Sequence, residues 1–265
     1  MIELTATECK ASNGSNLPQN IYDDPEFFAA YDRMRTHGIA LADALEEPAI
    51  RSLIPDIAGK TILDLGCGTG VMSRWLMQEG AGSVTGVDIS TRMLAKAKAD
   101  SLPGIKYIQS SAEDLDLPRA SFDLIVSSLM FHYIEDLPPV LAKIRSWLKP
   151  GGMLVFSTEH PIYTAAQGAF KDQWVKDEAG KNVAWMVDSY ATEGERKSTW
   201  WVDGVVRYHR TIASLINWLI EAGFSITRML EPHATADAER DQPIFLDERK
   251  RPPFLFIAAA ASHSA

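Results

Sequence analysis

The chain has 265 residues, 46% of them apolar and 23% charged, with a formal net charge of −9 at neutral pH. That length suits one fairly large domain, or a domain with an insertion, and the acidic balance argues against a nucleic-acid partner, whose binders carry basic stripes or patches. The nearest basic cluster, Arg249-Lys250-Arg251, is short, follows Asp247 and Glu248, and is expected on a solvated loop. Cys9 and Cys67 are too few for a disulfide framework and lack metal-ligand spacing, so no metal is expected. The polar opening MIELTATECKASNGSNLPQN has no apolar signal segment, and no apolar run reaches about 18 residues, so a cytoplasmic location without a membrane partner is expected.

In chain order, residues 1–20 are expected to be flexible and 21–59 to form a helical N-terminal lid on the domain that fills 60–265. Asp24 before Pro25 reads as an N-cap with proline in the first helical position, opening a helix through EFFAAYDRM. A second helical stretch runs through Leu41, Leu45 and Ile50. From Thr61 strands and helices alternate. TILDL is a buried strand, and Met72, Trp75 and Leu76 mark one face of a helix that stops near Gly80. SVTGVDI, IKYIQ and FDLIVSS are the next strands, with TRMLAKAKA as a helix after the first of them. Leu137, Leu141, Ile144 and Leu148 then keep helical spacing, KPGG turns, and MLVFSTE is a fifth strand. Such alternation predicts right-handed βαβ units and a doubly wound, mostly parallel sheet with both faces covered. The pattern lapses over 161–208 and resumes with the helix TIASLINWLIEAGF and the strands SITRMLEP and FLFIAAAA. Residues 161–208 are therefore an insertion after strand 5, in which Asp203-Gly204 of STWWVDGVVRYH signals a hairpin turn.

The first strand ends at Asp64-Leu65 and gives way to Gly66, Gly68 and Gly70. In an open parallel sheet, ligands bind beyond the carboxyl ends of the strands near the point where strand order reverses, and glycine there lets a ligand approach the backbone closely. A dinucleotide fingerprint is G-x-G-x-x-G/A with pyrophosphate on the helix N-terminus. Here the spacing is G-x-G-x-G, and Val71 stands where the third small residue belongs. Asp64 would repel a pyrophosphate and attract a ligand bearing an ammonium and a sulfonium, of which S-adenosylmethionine is one. Asp88, ending the second strand, suits two ribose hydroxyls and fits either nucleoside. The plainer readings are tight strand-to-helix packing for the glycines and an exposed helix N-terminal charge for Asp88.

ILDLGCGTG, VTGVDIS, SAEDLDLP, FDLIVSSLMFHYIED and LKPGGMLVFSTEHP occur here in the order seen in class I S-adenosylmethionine-dependent methyltransferases. Over about residues 60–160 the chain resembles that superfamily, and in particular its bacterial small-molecule branch. The flanks NIYDDPEFFAAYDRMR and GVVRYHRTIASLINWLIEAGF are similar to that branch as well. The resemblance implies an α/β fold with a seven-stranded sheet whose last strand, FLFIAAAA, is antiparallel. It also implies S-adenosyl-L-methionine as cofactor. By the same resemblance Asp64, Gly66 and Gly68 line the methionine end, with Cys67 a small residue of that turn. Asp88 holds the ribose, Ile89 and Met93 lie against the adenine, Ala112 and Glu113 lie at its edge, and Ser127 is near the methionine carboxylate. Such enzymes often carry Asp where this chain has Ser111, so the adenine amino contact is either weaker here or passes to Glu113 or a backbone carbonyl.

Methyl transfer is an in-line displacement, and alignment supplies much of the rate, with effective molarities of about 10⁵ to 10⁸ M for well-oriented pairs. A general base is needed only where the acceptor must lose a proton. His132 and Tyr133 follow the fourth strand and His160 follows the fifth, so all three are candidate catalytic residues at the acceptor. A structural histidine satisfied by backbone carbonyls is the competing reading. His209 with Arg210 either reaches the same cavity or ties the insertion to the sheet. Trp174, Trp185, Trp200 and Trp201 all fall in the insertion. They form either a wall for an apolar or planar acceptor or a satellite core. Tyr22, Phe27 and Tyr31 would close the other side. The N-P-P-Tyr element that amino-directed DNA methyltransferases carry after the fourth strand is replaced by Ser127-Ser128-Leu129-Met130. The expectation is a monomer or homodimer that methylates O or N of a small, planar or partly apolar acceptor. Tyr22, Tyr31, Trp185, Trp200 and His209 would contact that acceptor. An NAD-dependent oxidoreductase and a non-enzymatic cofactor-binding protein are the competitors.

Overall fold

In the computed structural model, residues 18–37, 42–167 and 173–262 are described. The predicted flexible segment therefore lies almost wholly outside them, as does Leu41. Eleven strands are formed among these residues: β1 Thr61–Leu65, β2 Ser83–Asp88, β3 Ile105–Gln109, β4 Phe122–Ser127, β5 Leu148–Glu159, β6 Trp174–Lys176, β7 Asn182–Trp185, β8 Gly194–Trp200, β9 Val202–His209, β10 Phe224–Leu230 and β11 Phe254–Ala261. The helices are α1 Pro25–His37, α2 Glu47–Leu53, α3 Val71–Gln78, α4 Thr91–Ala99, α5 Leu137–Trp147, α6 Pro161–Thr164, α7 Ile212–Glu221 and α8 Ala236–Asp241.

Seven strands make one sheet in the order β10-β11-β5-β4-β1-β2-β3. All neighbours are parallel except β11, which runs antiparallel to both β5 and β10. The fold is thus the expected doubly wound α/β sheet with an antiparallel last strand and an insertion after β5. Because β1 has β2 on one side and β4 on the other, strand order reverses at β1, which puts the ligand crevice at its carboxyl end. Period-two alternation sorts the core into two layers. Leu63, Ile125, Leu255 and Ile257 face α5 and α7, whereas Ile62, Leu124, Val126 and Phe256 face α2 and α3. Asp64 shares the register of Ile62, so the alternation that buries the isoleucine carries the acid inward too.

The N-terminal segment docks across this crevice. Asp24 caps α1 by accepting the Phe27 N–H at 2.9 Å, as its place before Pro25 predicts. Asp23 caps α4 from outside that helix, accepting from the Ser90 hydroxyl at 2.7 Å and from the amides of Thr91 and Arg92. Gln19 pairs with both backbone groups of Val206 on β9, and Phe27 sets its ring edge-on to Trp200 and Trp201.

Four local expectations are corrected. Leu148 leaves the helix and opens β5, its ψ of 137° being extended, and KPGG continues as strand. The β8–β9 hairpin turns at Trp201 (φ 61°), with Trp200 opposite Val202; Asp203-Gly204 instead fills a bulge in which Asp203 accepts the Thr199 hydroxyl at 2.6 Å. Between β10 and β11 the chain forms α8 and a short 3-10 helix, Pro243–Arg249. Arg251 beyond it is buried, not solvated: its guanidinium lies 4.5 Å from the Tyr163 ring centre, 4.6 Å from Trp185 and 5.4 Å from Trp174. Cation–π burial overrides the polarity that makes a basic triplet read as loop.

No helix among the described residues is long and apolar enough to cross a membrane. Gly86 marks the tightest seam between β2 and β3, since a Cβ there would lie 2.8 Å from the Tyr107 ring and 3.0 Å from the Cys67 sulfur. Gly86→Ala should therefore lower stability by about 1–3 kcal/mol, read by chemical denaturation.

Candidate active site

A cavity of about 630 Å³ opens at the carboxyl ends of β1, β2, β4 and β5. Its floor is the glycine turn, where Gly66, Gly68 and Gly70 have φ of 80°, 52° and 76°. A Cβ on Gly66 would strike Met130 at 2.7 Å, whereas one on Gly68 would meet nothing within 4 Å. The turn's amides are largely committed within the chain. Gly66 and Cys67 both donate to the Val87 carbonyl, at 2.8 and 2.9 Å, Gly70 donates to the Cys67 carbonyl at 2.9 Å, and Gly68 donates to Asp88 Oδ2 at 2.8 Å. An anion laid across this turn would find those donors already used.

The carboxylates are arranged for the opposite charge. Asp64 is 1% exposed; its Oδ2 accepts the Ser73 hydroxyl at 2.5 Å, and its Oδ1 is buried without a partner. Burial, with the nearby charges of Asp88 and Glu46 adding to it, pushes its pKa up to about 7 despite the Ser73 bond. Asp88 holds Gly68 N–H on one oxygen and Ser90 N–H on the other, each at 2.8 Å, with lone pairs left on both. Ile89, Met93, Ala112 and Glu113 line the same end of the cavity. Ser111, in the place where an acid was expected to matter, spends its hydroxyl on Asp114 at 2.8 Å. Burial raises the Glu113 carboxyl above its usual range.

Above this floor stand Tyr22, Tyr31, His132, Tyr133 and Trp200, which also line the cavity. Tyr22 meets Phe27, Tyr31 and Tyr133 edge to face, with its hydroxyl 3.5 Å from that of Tyr133. Burial pushes the Tyr133 phenol up to about 12, so it remains protonated. His132 Nδ1 accepts the Glu159 N–H at 3.4 Å, which leaves the proton of the neutral ring on Nε2. Burial, together with the cations Arg207 and Arg210, holds its pKa well below the ordinary value. His132 is thus arranged as a neutral hydrogen-bond donor.

Four predicted residues stand outside the cavity lining. Ser127 is fully buried and gives its hydroxyl to the Leu65 carbonyl at 2.8 Å. His160 caps α6, accepting the Ile162 N–H on Nδ1 at 3.0 Å and donating from Nε2 to Glu231 at 2.8 Å. His209 bridges Thr164, at 2.8 Å, and the Tyr190 carbonyl, at 2.9 Å, and so ties the insertion down. Trp185 stacks on Tyr163 with Arg251 against it.

Sequence reasoning missed several charged groups that the cavity does contain, among them Arg207, Arg251 and Glu46. Arg207, on β9, lies 3.0 Å from Glu159 at the end of β5 and 5.3 Å from the Trp200 ring centre. Arg251 arrives from the β10–β11 connection. Glu46, from the N-terminal segment, is 2% exposed. Only the β-alternation of VVRYH hinted that Arg207 points inward. Among the described residues, no group of three or more His, Cys, Asp or Glu is placed to hold a metal ion.

Comparison with known proteins bears on the fold and the family. The model of a methyltransferase domain family matches residues 63–156. A crystal structure of an S-adenosylmethionine-dependent methyltransferase from Mesorhizobium loti is 40% identical, covers 84% of this chain and 98% of its own, and superposes with a TM-score of 0.75. An uncharacterised protein of Haemophilus influenzae is 38% identical over 250 residues, 91% of this chain and 96% of that one. A trans-aconitate 2-methyltransferase of Deinococcus radiodurans is 34% identical over 141 residues; the match takes in 49% of this chain and about half, 54%, of that enzyme.

The histidine assignments carry a pH consequence. Burial depresses the His160 pKa, and the Glu231 bond offsets that only in part. The folded state therefore binds fewer protons than the unfolded chain below about pH 6.5, and stability falls as pH drops through that value. His160→Asn keeps a capping acceptor and should flatten this acid limb between about pH 7 and 5, read by denaturation at each pH. Its affinity for the cavity's ligand at neutral pH should be unchanged.

Proposed function

The chain belongs to the class I S-adenosylmethionine-dependent methyltransferases, and from that premise we propose that it transfers a methyl group to an oxygen or nitrogen of a small, planar or partly apolar molecule. The observation that carries the cofactor half is the inversion of polarity at the glycine turn. Its amides are donated within the chain, while Asp64 presents a buried, partnerless oxygen and Asp88 keeps free lone pairs. That inventory suits a positively charged nucleoside and gives a diphosphate little to bind.

When bound, S-adenosylmethionine supplies an electrophilic methyl carbon on a sulfonium. The chain's own work is orientation. Asp88 would accept from the ribose hydroxyls, Met93 and Ile89 would cover the adenine, and Asp64 would lie at the methionine end. On the acceptor side Tyr22, Tyr31, Tyr133 and Trp200 offer ring faces and edges to an apolar or planar body. The protonated Nε2 of neutral His132 would donate a hydrogen bond that fixes the acceptor's heteroatom, and so aligns it for in-line attack. The Deinococcus relative, whose name specifies trans-aconitate, supports a small-molecule acceptor.

Calorimetry with S-adenosylmethionine, S-adenosylhomocysteine and NAD tests the cofactor half, and binding of NAD alone would overturn it. Asp88→Ala should weaken S-adenosylhomocysteine by about tenfold to a hundredfold, because it removes charge-assisted bonds. His132→Ala should leave that affinity within about twofold yet slow turnover of an accepted substrate by about tenfold or more. Equal loss of cofactor affinity in both variants would refute this division of roles.

A further inference from the structure

Glu46 closes a π-type turn, Ala42–Glu46, directly before α2. Leu45, Ala49 and Ile50 lock that segment into the core layer shared with α3, so the acid is carried in on a rigid mount. Its neighbour Glu47 also lines the cavity but is neutralised by Arg35 at 2.8 Å and Arg51 at 2.7 Å. Glu46 points inward. Its Oε1 accepts the Ser128 hydroxyl at 2.8 Å and the Ser157 hydroxyl at 2.6 Å, and Ser157 in turn receives the Leu129 N–H at 3.0 Å.

Both hydroxyl bonds fall on one oxygen, so Oε2 makes no hydrogen bond among the described residues, although the residue is only 2% exposed and lines the cavity. Asp64, which lines the same cavity and whose pKa the charge of Glu46 helps to raise, also keeps one oxygen without a partner. Burial holds the Glu46 carboxyl above its ordinary range even with two hydroxyls favouring its ionised form. Two buried carboxylates that line one cavity, each with an unfilled acceptor, suit a cation that can donate more than one hydrogen bond.

We propose that Glu46 is a second carboxylate of the cofactor site, receiving the α-ammonium of the methionine moiety together with Asp64. The inference rests on the cofactor reading given above and extends it to a residue outside the β-α-β motifs. It makes the N-terminal segment part of the binding site itself, and makes recognition of the amino-acid end a joint property of that segment and β1.

Glu46→Gln tests it, because glutamine keeps an acceptor for Ser128 and Ser157 while removing the charge. The full chain is titrated calorimetrically with S-adenosylmethionine, S-adenosylhomocysteine and 5′-methylthioadenosine, which has the nucleoside and sulfur but no ammonium. In Glu46→Gln the two amino-acid-bearing ligands should weaken by about tenfold or more while methylthioadenosine changes by less than about twofold. Glu46→Asp, which keeps the charge, should recover part of the loss. Equal weakening of all three ligands would mean a scaffold role and overturn the proposal, as would unchanged affinity for all three. If the unaltered chain binds none of them, the cofactor reading itself fails and this inference falls with it.

Discussion

Asp64 sits at the carboxyl end of β1 with almost no exposed surface, one oxygen held by Ser73 and the other without a partner. It is there because strand alternation puts it on the inner face with Ile62, and because strand order reverses at β1. A buried carboxylate in that position is costly unless something compensates it. The glycine turn does not, since its amides are spent on Val87, Cys67 and Asp88. The raised pKa of Asp64 relieves part of that cost by protonation, and on the cofactor reading proposed above a cationic ligand would offset the rest.

The same turn shows how local chemistry fixes a site. Gly66 yields space to Met130 and Gly70 to the Tyr107 hydroxyl, so these glycines pack the turn against the loop after β4 and against β3. Gly68 alone has open space where its Cβ would lie. One glycine therefore leaves the turn open toward the cavity, and the other two serve the packing that holds it in position.

Most of the sheet was legible because each strand and helix is a short local pattern, and the βαβ rule then leaves little freedom. The cavity floor was legible for the same reason: Asp64, Gly66, Gly68, Asp88, Ile89 and Met93 line it and lie within one stretch of chain. Ser127 and His160 misled because they share the right sheet edge but turn their polar atoms into the scaffold, toward Leu65, Ile162 and Glu231. Strand register shows which edge a residue reaches and says nothing about which partner takes its side chain. The hairpin misled through Asp203-Gly204, a good turn signal that the bulge opposite Thr199 absorbed instead.

The upper walls of the cavity were harder to read because no single segment makes them. Tyr22 and Tyr31 come from the N-terminal segment, Tyr133 from the loop after β4, Trp200 and Arg207 from the β8–β9 hairpin, and Arg251 from the connection before β11. These pieces meet through long-range contacts that leave no periodicity: Phe27 on Trp200, Gln19 on Val206, Arg207 beside Glu159, Arg251 among Tyr163, Trp174 and Trp185. The Arg207–Glu159 pair lies close to Trp200 and just behind the backbone amide that fixes the His132 tautomer. A change of charge at Glu159 would thus act on two cavity-lining rings, Trp200 and His132. The upper walls of the cavity depend on how the hairpin, the N-terminal segment and the β10–β11 connection dock together, whereas the glycine-turn floor is built by β1, β2 and their turns.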